Sequence, residues 1–511
     1  MNSSLSRRDF LRLAPLLLAV PFAKPIMDQL ALPIASGSPP NIIFILLDTL
    51  SARHLSLYGY QRETTPNLNR FAQKATVYHA HQSAANFTTP STATFLTGTY
   101  PWTHRAFHFS GQIAKSIEET NIFNLLGNSP YHRLGYAHNL LADILLQQFK
   151  PYLDQHIKIG AYNNIDNTIY DNIFSRDPLP AFRSFEEVLL RGESPGSIFY
   201  SLANDISLLA RYQKNLENHA VQYPKGLPNA GSLNLTFVPE ILFDGVADLL
   251  NNISQPTIAY IHLFPPHEPY LPNNKYSGKF SDDGWQPPSK SVHFFSQNVD
   301  QGRLNKLRLH YDQYIAQIDS ELDHLFNEMQ SNGLLTNSYV FITSDHGQLF
   351  ERGIHGHSTE LLYEPLIHLP LIISKPNQQT RQDIFTPTSN VDIMPSVLHL
   401  TGTPTPEWCQ GELLPGLGGS EITNRSIFSM DAKTNPSFSK LTTATFTIRK
   451  GSSKLIYYLG YPGHDGKFEF YDLEADPEEV LDLYPAKPSI ASELKEELLS
   501  KIDSSNRPFP N

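Results

Sequence analysis

The stretch NIIFILLD, residues 41–48, is a continuous apolar run that ends at a carboxylate. Such a run is typical of a strand that is buried on both faces in a parallel sheet. Three later stretches are similar: TIAYIHL at 257–263, YVFIT at 339–343 and LPLIIS at 369–374. Helical patterns lie between the strands, and the clearest has apolar residues at steps of three or four from Leu307 to Met329. The alternation predicts an α/β fold with a mostly parallel sheet flanked by helices.

A stretch rich in Pro and Gly, 404–419, separates two regions of the chain. We expect residues 40–404 to form the α/β domain and residues 420–511 to form a small α+β unit. Within the first region, 131–250 lacks long strand signals and is predicted as helices and loops over the sheet. The second region is predicted to contain three short antiparallel strands and a closing helix: Ala444–Arg449, Lys454–Tyr458, Phe468–Tyr471 and Ser489–Ile502.

Residues 1–35 are predicted to be a targeting segment and not part of the fold. Arg7 and Arg8 precede a short apolar run, Leu13–Ala23, as in a twin-arginine export signal. This run is about half of the roughly 20 residues that cross a bilayer, so no stable membrane span is expected. We therefore predict export to the periplasm or the extracellular space. Cleavage near Ala23 or Ala35 is favoured, and an uncleaved segment would tether the protein to the membrane.

The composition of the 511-residue chain excludes several classes of protein. Hydrophobic residues make up 40% and charged residues 17%, as in a folded chain of two to four structural units. The formal net charge of -11 argues against a nucleic-acid partner, which would require a basic surface. The single cysteine, Cys409, excludes an intrachain disulfide framework. Composition leaves the oligomeric state open.

Two carboxylates follow predicted strands. Asp48 ends the first strand, and Asp345 and His346 end another in the sequence ITSDHG. Ligands bind beyond the carboxyl ends of strands in open α/β sheets, and two carboxylates that meet there repel each other unless a cation lies between them. Each aspartate alone also fits a turn or cap residue. Taken with the motif described next, the pattern predicts a divalent metal site.

The sequence FTTPSTATFLTG, residues 87–98, is predicted to contain a short helix. Pro90 suits the first position of the helix, Gly98 its end and Thr89 its cap. Thr88 would then lie at the mouth of the helix, where free N–H groups favour an anion. Its hydroxyl needs a base or a metal to become a nucleophile. The alternative is a capped helix without chemistry.

These motifs together resemble the sulfatase family of the alkaline-phosphatase-like superfamily. The similar segments include residues 45–60, 89–101, 262–272, 343–358, 391–402 and 454–485. They cover nearly the whole chain after the targeting segment, except about 150–250. The resemblance implies an alkaline-phosphatase-like α/β sandwich with a small C-terminal α+β subdomain.

The resemblance also implies roles for particular residues. Asp48, Asp345 and His346 match metal ligands, and Thr88 falls at the nucleophile position, where the side chain also contacts the metal.

Further matches concern the substrate. His267 matches a histidine that contacts the ester oxyanion. His357, or less closely His355, matches a basic group beyond the SDHG segment, and Asn139 lies near a substrate-contact region.

The sequence departs from the family pattern at the nucleophile. True sulfatases carry Cys or Ser in a C/S-x-P-x-R signature, and that residue is oxidised to formylglycine. Thr88 cannot be converted because its β-carbon bears a methyl group, and Thr92 replaces the signature arginine. Cys409 lies far along the chain, and Thr49 replaces a second aspartate. We therefore expect no formylglycine.

The departures resemble the threonine-nucleophile branch of the superfamily. We predict an exported metal-dependent hydrolase of sulfate or phosphate esters, with phosphoesters favoured. A sulfatase acting without formylglycine, a phosphoglycerol- or phosphoethanolamine-type transferase, and a degenerate anion-binding protein remain alternatives. The cation would be Ca, Mn or Zn, and the imidazole of His346 suits the transition metals better. The substrate would be a small-molecule, glycan or lipid-head-group ester, with specificity residing in residues 131–250.

Overall fold

A computed structural model describes residues 39–164, 198–486, 489 and 491–509. The described residues from 40 onward pack as one compact unit. The predicted targeting segment, residues 1–35, lies outside the described residues, as does 165–197 within the predicted insertion. In the described ranges, no helix combines the length and the apolar character needed to cross a membrane.

A nine-stranded sheet forms the centre of the larger region, and a two-stranded hairpin of β7 and β8 lies beside it. The strands of this region are β1 (Asn41–Leu47), β2 (Thr76–Gln82), β3 (His132–Ala137), β4 (Gln155–Ile157), β5 (Thr257–Leu263), β6 (Ser338–Thr343), β7 (Leu349–Glu351), β8 (Ile354–Gly356), β9 (His368–Ser374), β10 (Gln382–Ile384) and β11 (Thr388–Ser389). The order across the sheet is β10-β2-β9-β6-β1-β5-β3-β4, and β11 pairs with β2. β9 is antiparallel to both neighbours and the other pairs are parallel, which confirms the prediction of a mostly parallel sheet.

β1 shows why the apolar run decides the fold. Its odd-numbered apolar residues Ile43, Ile45 and Leu47 enter one hydrophobic core. Its even-numbered residues enter a second core on the other face of the sheet. Because successive side chains of a strand point to opposite faces, a strand covered on both sides must be apolar at every position.

Helices cover both faces. They are α1 (Pro66–Phe71), α2 (Thr88–Thr97), α3 (Pro101–His104), α4 (Ile122–Leu125), α5 (Leu140–Gln148), α6 (Ile198–His219), α7 (Pro239–Asn251), α8 (Gln301–Ser331), α9 (Glu364–Ile367), α10 (Ile393–Leu400) and α11 (Ser492–Asn506). α7 and α8 pack in the first core, and α2, α5 and α10 pack in the second. The predicted stripe of α8 is confirmed, since it is buried from Tyr311 to Met329 and Leu307 packs at its edge.

The prediction of helices and loops for 131–250 is wrong at its beginning. β3 lies within this range and pairs with β5 along six residues, and β4 pairs with β3. The strand escaped prediction because HRLGYA starts with His132 and Arg133, is interrupted by Gly135, and is buried only over its last four residues. Strand pairing, and not local propensity, defines this segment.

The C-terminal region forms an antiparallel sheet of β12 (Ser426–Asp431), β13 (Ala444–Lys450), β14 (Ser453–Leu459) and β15 (Lys467–Asp472). The three predicted strands are present, and β12 was not predicted. The closing helix begins three residues later than expected, at Ser492, because the chain turns just before it. The sheet contacts the larger region through the Met430 N–H, which donates to the Ala84 carbonyl at 2.9 Å.

Candidate active site

Three neighbouring strands bring polar side chains to one edge of the sheet. β1 lies between β5 and β6, and all three run parallel. Asp48 follows β1, Asp345 follows β6, and His262 lies near the end of β5. Each of the three residues is at most 2% exposed. The meeting of Asp48 and Asp345, expected from strand topology, is present in the structure.

The two aspartates and His346 form a compact group of metal-ligand atoms. His346 Nε2 lies 3.6 Å from Asp48 Oδ1 and 3.3 Å from Asp345 Oδ2. One ligand atom from each residue lies within 4.8 Å of the others. Asp48 Oδ1 and Asp345 Oδ2 are buried without a hydrogen-bond partner. Two carboxylates and an imidazole with unused acceptor atoms fit a divalent cation.

The charges of this group are unbalanced. Burial, reinforced by the charge of Asp345, raises the pKa of Asp48 well above its ordinary value. Burial also acts to raise the pKa of Asp345, but His346, His262 and two backbone N–H groups together hold it below the ordinary value. One carboxyl therefore retains a proton more readily than the other. A cation between them would remove the repulsion that favours this proton.

Thr88 lies beside this group. Its Oγ1 is 3.2 Å from His346 Nε2. α2 begins at Thr88, and Phe87 occupies the cap position without a capping side-chain hydrogen bond. The prediction that Thr89 caps the helix and that Pro90 opens it is therefore wrong, because the extended backbone at Phe87 starts the helix earlier. Gly98 ends the helix with φ +63°, as predicted.

Asn139 connects Thr88 to the aspartates. Its Nδ2 donates to Asp48 Oδ2 in a short hydrogen bond and to Thr88 Oγ1 at 3.4 Å. Its Oδ1 accepts from the Leu141 N–H at 2.7 Å and caps α5. The structure thus places Asn139 at the centre of the site, held by its own helix. A direct contact with substrate stays a prediction.

Two histidines extend the site away from Thr88. The ring centroid of His357 is 4.4 Å from that of His346 and 5.0 Å from that of His267. Burial lowers the pKa of His267 to about 4 and, together with the neighbouring imidazoles, lowers that of His357 well below its ordinary value. Both rings are therefore neutral near pH 7.

Hydrogen bonds define the tautomers of these rings. His267 Nδ1 donates to the Glu268 carbonyl at 2.8 Å, and His357 Nδ1 lies 2.7 Å from Gln348 Oε1. Because both partners are acceptors, each Nδ1 carries the hydrogen and each Nε2 has a lone pair. The site contains two neutral imidazoles that can accept a proton.

His355 lies further out. Its Nε2 is 3.3 Å from the Tyr270 hydroxyl and 3.5 Å from a Glu268 carboxylate oxygen, and its side chain is 22% exposed. Of the two histidines considered for the basic group, the structure brings His357 and not His355 against His346. A role for His355 in binding substrate stays a prediction at the rim of the site.

Neither Cys409 nor Thr49 takes over the role of a residue that the sequence lacks relative to the family pattern. Cys409 Sγ lies 3.6 Å from the Gly98 carbonyl, at the opposite end of α2 from Thr88. Thr49 contributes its backbone N–H, which donates to Asp345 Oδ1 at 3.3 Å. Neither residue supplies a second nucleophile or a further carboxylate.

His262 was not predicted. Its Nε2 lies 3.7 Å from Asp345 Oδ2 and 3.9 Å from Asp48 Oδ2. The residue stands in the run TIAYIHL, which was interpreted as an apolar strand. The available signal was a polar residue near the carboxyl end of a buried strand, the position that makes Asp48 and Asp345 conspicuous.

Comparison with known proteins agrees with this architecture. The family described as Sulfatase matches residues 40–403, and that described as N-sulphoglucosamine sulphohydrolase, C-terminal, matches 353–505. Choline-sulfatase of Rhizobium meliloti (strain 1021) is 24% identical over 483 residues, which cover 87% of this chain and 82% of that protein. N-acetylgalactosamine-6-O-sulfatase of Bacteroides thetaiotaomicron is 24% identical over 527 residues, covering 91% and 93%.

Solved structures share the fold. The phosphonate monoester hydrolase of Agrobacterium radiobacter aligns with a TM-score of 0.64 at 15% identity, over 91% of this chain and 96% of that chain. The enzyme of the same name from Silicibacter pomeroyi aligns with a TM-score of 0.63 at 18% identity, with the same coverage. The chain belongs to the sulfatase family, and it is an alkaline-phosphatase-like hydrolase of the sulfuric- and phosphoric-ester class.

Proposed function

We propose that this protein is an exported, metal-dependent hydrolase of sulfate or phosphate esters that uses Thr88 as its nucleophile. The observation that carries the proposal is the position of the Thr88 hydroxyl. It lies at the first turn of α2, within 3.2 Å of His346 Nε2 and beside the two aspartates. Free N–H groups at a helix start favour a bound anion, and an anionic ester bound there would have its sulfur or phosphorus next to the hydroxyl.

Asp48, Asp345, His346 and Thr88 would hold the divalent cation. When bound, it would lower the pKa of the Thr88 hydroxyl and polarise the ester oxygen. The imidazole favours Mn or Zn over Ca. Formylglycine is not part of the proposal, because threonine has a methyl group where that oxidation needs a hydrogen.

The first step transfers the sulfuryl or phosphoryl group to threonine. The Thr88 proton is relayed by water to the Nε2 lone pair of His267 or His357, which lie beyond His346, and Thr88 Oγ1 forms a bond to phosphorus or sulfur. The bond from that atom to the alcohol oxygen breaks. The protonated imidazole stabilises the equatorial oxygens and then gives its proton to the leaving alcohol.

The second step regenerates the enzyme. Water attacks the ester on Thr88, one of its protons passes to the same Nε2, and the bond to Thr88 Oγ1 breaks. The imidazole then returns the proton to the Thr88 oxygen, so that the net reaction is ester plus water giving alcohol and acid. An acceptor alcohol in place of water would make the same chemistry a transfer.

The substrate class follows from the relatives and from the threonine. Relatives are named for sulfate esters and structural neighbours for phosphonate esters. We favour phosphoesters because a threonine hydroxyl replaces formylglycine, and we retain sulfate esters as the second candidate because the curated relatives reported above carry sulfatase names. Small-molecule, glycan and lipid-head-group alcohols all fit as leaving groups. The twin-arginine-like segment supports export.

The decisive experiment replaces the nucleophile. Thr88→Ala should lower kcat by at least about a thousandfold, as expected for a covalent nucleophile, while the metal content per protein stays at the wild-type level. Thr88→Ser should retain part of the activity. Thr97→Ala, at the far end of the same helix, is the matched control and should keep wild-type kcat.

The assay compares an aryl sulfate, a phosphate monoester, a phosphate diester and a phosphonate monoester on metal-loaded protein. Intact-mass analysis of the quenched reaction should show an adduct on Thr88. Undiminished turnover by Thr88→Ala would overturn the proposal. A higher kcat/KM for the sulfate would make the second candidate the correct one.

A further inference from the structure

We infer that His262 is a further protein ligand of the cation that Asp48, Asp345, His346 and Thr88 would hold. The inference rests on the proposed metal dependence and extends it to a residue outside the predicted ligand set. His262 is fully buried, and its Nε2 has no hydrogen-bond partner. A buried polar atom without a partner costs about 1–3 kcal/mol, so the structure requires a reason for it.

The unused atoms of His262 and Asp345 lie near each other, and the Asp48 oxygen nearest to His262 is Oδ2, which also accepts from Asn139. Asp48 Oδ1 and Asp345 Oδ2 are the other unpartnered atoms of this group. His262 Nε2 lies 3.7 Å from Asp345 Oδ2, close to the 3.3 Å that separates the same oxygen from His346 Nε2. Two atoms that bind one ion at about 2.1 Å lie about 3.0–4.2 Å apart, depending on the angle between them. The spacing of His262 from both carboxylates falls within this range.

The other ring nitrogen is already engaged. His262 Nδ1 lies 3.1 Å from the Tyr260 hydroxyl, two residues earlier on the same face of β5. If Nδ1 carries the hydrogen and donates it to that hydroxyl, the lone pair of Nε2 points to the carboxylates. Histidines that bind metals commonly have their second nitrogen anchored in this way.

The backbone holds His262 in place. In the sheet it pairs with Leu46 of β1 and Ala137 of β3, so hydrogen-bonded strands lie on both sides. The His138 N–H donates to the His262 carbonyl at 2.7 Å. A ligand on a central strand moves less than one on a loop, which favours a preformed coordination site.

With His262 included, the donor set contains as many imidazoles as carboxylates. Two imidazoles and two carboxylates form a softer donor set than carboxylates alone. We therefore expect the site to select Zn or Mn over Ca.

The test counts imidazoles directly. In the Cu²⁺-loaded full chain, pulsed electron paramagnetic resonance should detect His262 and His346 as coordinated imidazoles. His262→Gln and His346→Gln should each remove one imidazole signal, whereas His138→Gln should remove none. His138 is the matched control because it is a buried histidine that lies 2.8 Å from its own partner, Asn163 Oδ1. An unchanged imidazole count in folded His262→Gln would overturn the inference.

Affinity provides a second measurement. By competition with a chelator, His262→Gln should weaken Zn²⁺ binding by at least about 100-fold, and Tyr260→Phe by about 10-fold through loss of the anchor. His138→Gln should bind within about threefold of wild type. If His262→Gln does not fold, the test uses the number of imidazoles coordinated in the wild type and the Zn²⁺ affinity of Tyr260→Phe. A single coordinated imidazole in the wild type, together with an unchanged Zn²⁺ affinity of Tyr260→Phe, would refute His262 as a ligand.

These readouts are independent of turnover. Loss of an imidazole in His262→Gln, in a protein without esterase activity, would support the ligand and contradict the proposed function. Active enzyme with wild-type Zn²⁺ affinity in His262→Gln would support the proposed function and refute the ligand.

Discussion

Two pairs of buried carboxylates in this protein differ in whether a basic side chain of the chain neutralises them. At the junction between the larger region and the C-terminal sheet, Glu364 and Glu479 share the ammonium group of Lys454, at 2.9 Å and 2.7 Å. In the active site, Asp48 and Asp345 are equally buried. Across the described ranges, the ion-pair partners of these aspartates are imidazoles and include no lysine or arginine.

In each pair one pKa is lowered and the other is raised, so the difference lies in the cations and not in the direction of the shifts. Burial acts to raise the pKa of Glu364, but Lys454 and Arg449 outweigh it and lower the pKa to about 2, while burial raises the pKa of Glu479. In the candidate active site, burial raises the pKa of Asp48, and imidazoles and backbone N–H groups alone hold that of Asp345 below its ordinary value. Where the role is structural, the fold supplies its own cation. Beside Asp48 and Asp345 the fold supplies no lysine or arginine among the described residues. Carboxylate oxygens there remain available as acceptors, and this supports a role for an external ion.

The largest expected effect is at the junction. Lys454→Met should lower the free energy of unfolding by about 3–5 kcal/mol, because it removes the buried ammonium group that both carboxylates share and leaves Arg449 near Glu364 alone. Urea denaturation measures the loss. Lys74→Met, at an exposed position, is the control and should change stability by at most about 0.5 kcal/mol. A loss below about 1 kcal/mol for Lys454→Met would mean that the junction pair does not depend on its lysine.

Metal addition should act on the active site alone. Zn²⁺ at 100 times its Kd should raise the free energy of unfolding of the wild type by about 2.7 kcal/mol, since it binds the folded state. The same gain should persist in Lys454→Met and disappear in Asp345→Asn at the same Zn²⁺ concentration. Thermal and urea denaturation with and without Zn²⁺ provide the measurement. An equal gain in Asp345→Asn would place the ion elsewhere.

The smallest effect concerns Asp48 in metal-free protein. Its pKa is raised in the folded state, so the folded state holds a proton that the unfolded state releases. Stability is therefore lost as the pH rises from about 4, the unfolded pKa, through the folded value. Asp48→Asn should remove this loss and be more stable than wild type by about 1 kcal/mol at pH 8, with the difference vanishing toward pH 4.

Urea denaturation of both proteins in the presence of a chelator, between pH 4 and pH 8, measures whether Asp48→Asn is the more stable of the two at high pH. With saturating Zn²⁺ the order should reverse, because Asp48→Asn loses a ligand. A variant less stable than wild type in chelator at pH 8 would show that Asp48 has a compensating partner of its own.

Much of the site was readable from local sequence. The apolar runs predicted central strands because a strand covered on both faces needs an apolar residue at every position. Asp48 and Asp345 then followed as neighbours, since parallel strands end at one edge. Thr88 was identified by its place before a short helix, although the start of that helix was misplaced by the extended backbone at Phe87.

Other features depend on residues far apart in the chain. β3 carries a weak strand signal and is defined by pairing with β5. The sequence already favoured His357 over His355, but only the fold shows that the His357 ring lies against His346. The sequence predicted only that Lys454 lies in a strand. Its ion pairs with Glu364 and Glu479 join separate segments of the chain, and no local sequence pattern predicts them.

The sequence by itself determined the central apolar strands, the place of Thr88 at the mouth of a helix and the two carboxylates, because each is encoded by neighbouring residues. The tertiary structure alone decided that His262 joins them. Its Nε2 meets Asp345 and Asp48 across strands that are distant in sequence, and the contact between Thr49 and Asp345 already spans 296 residues. Periodicity can show that a side chain is buried, but only packing shows which atoms it faces.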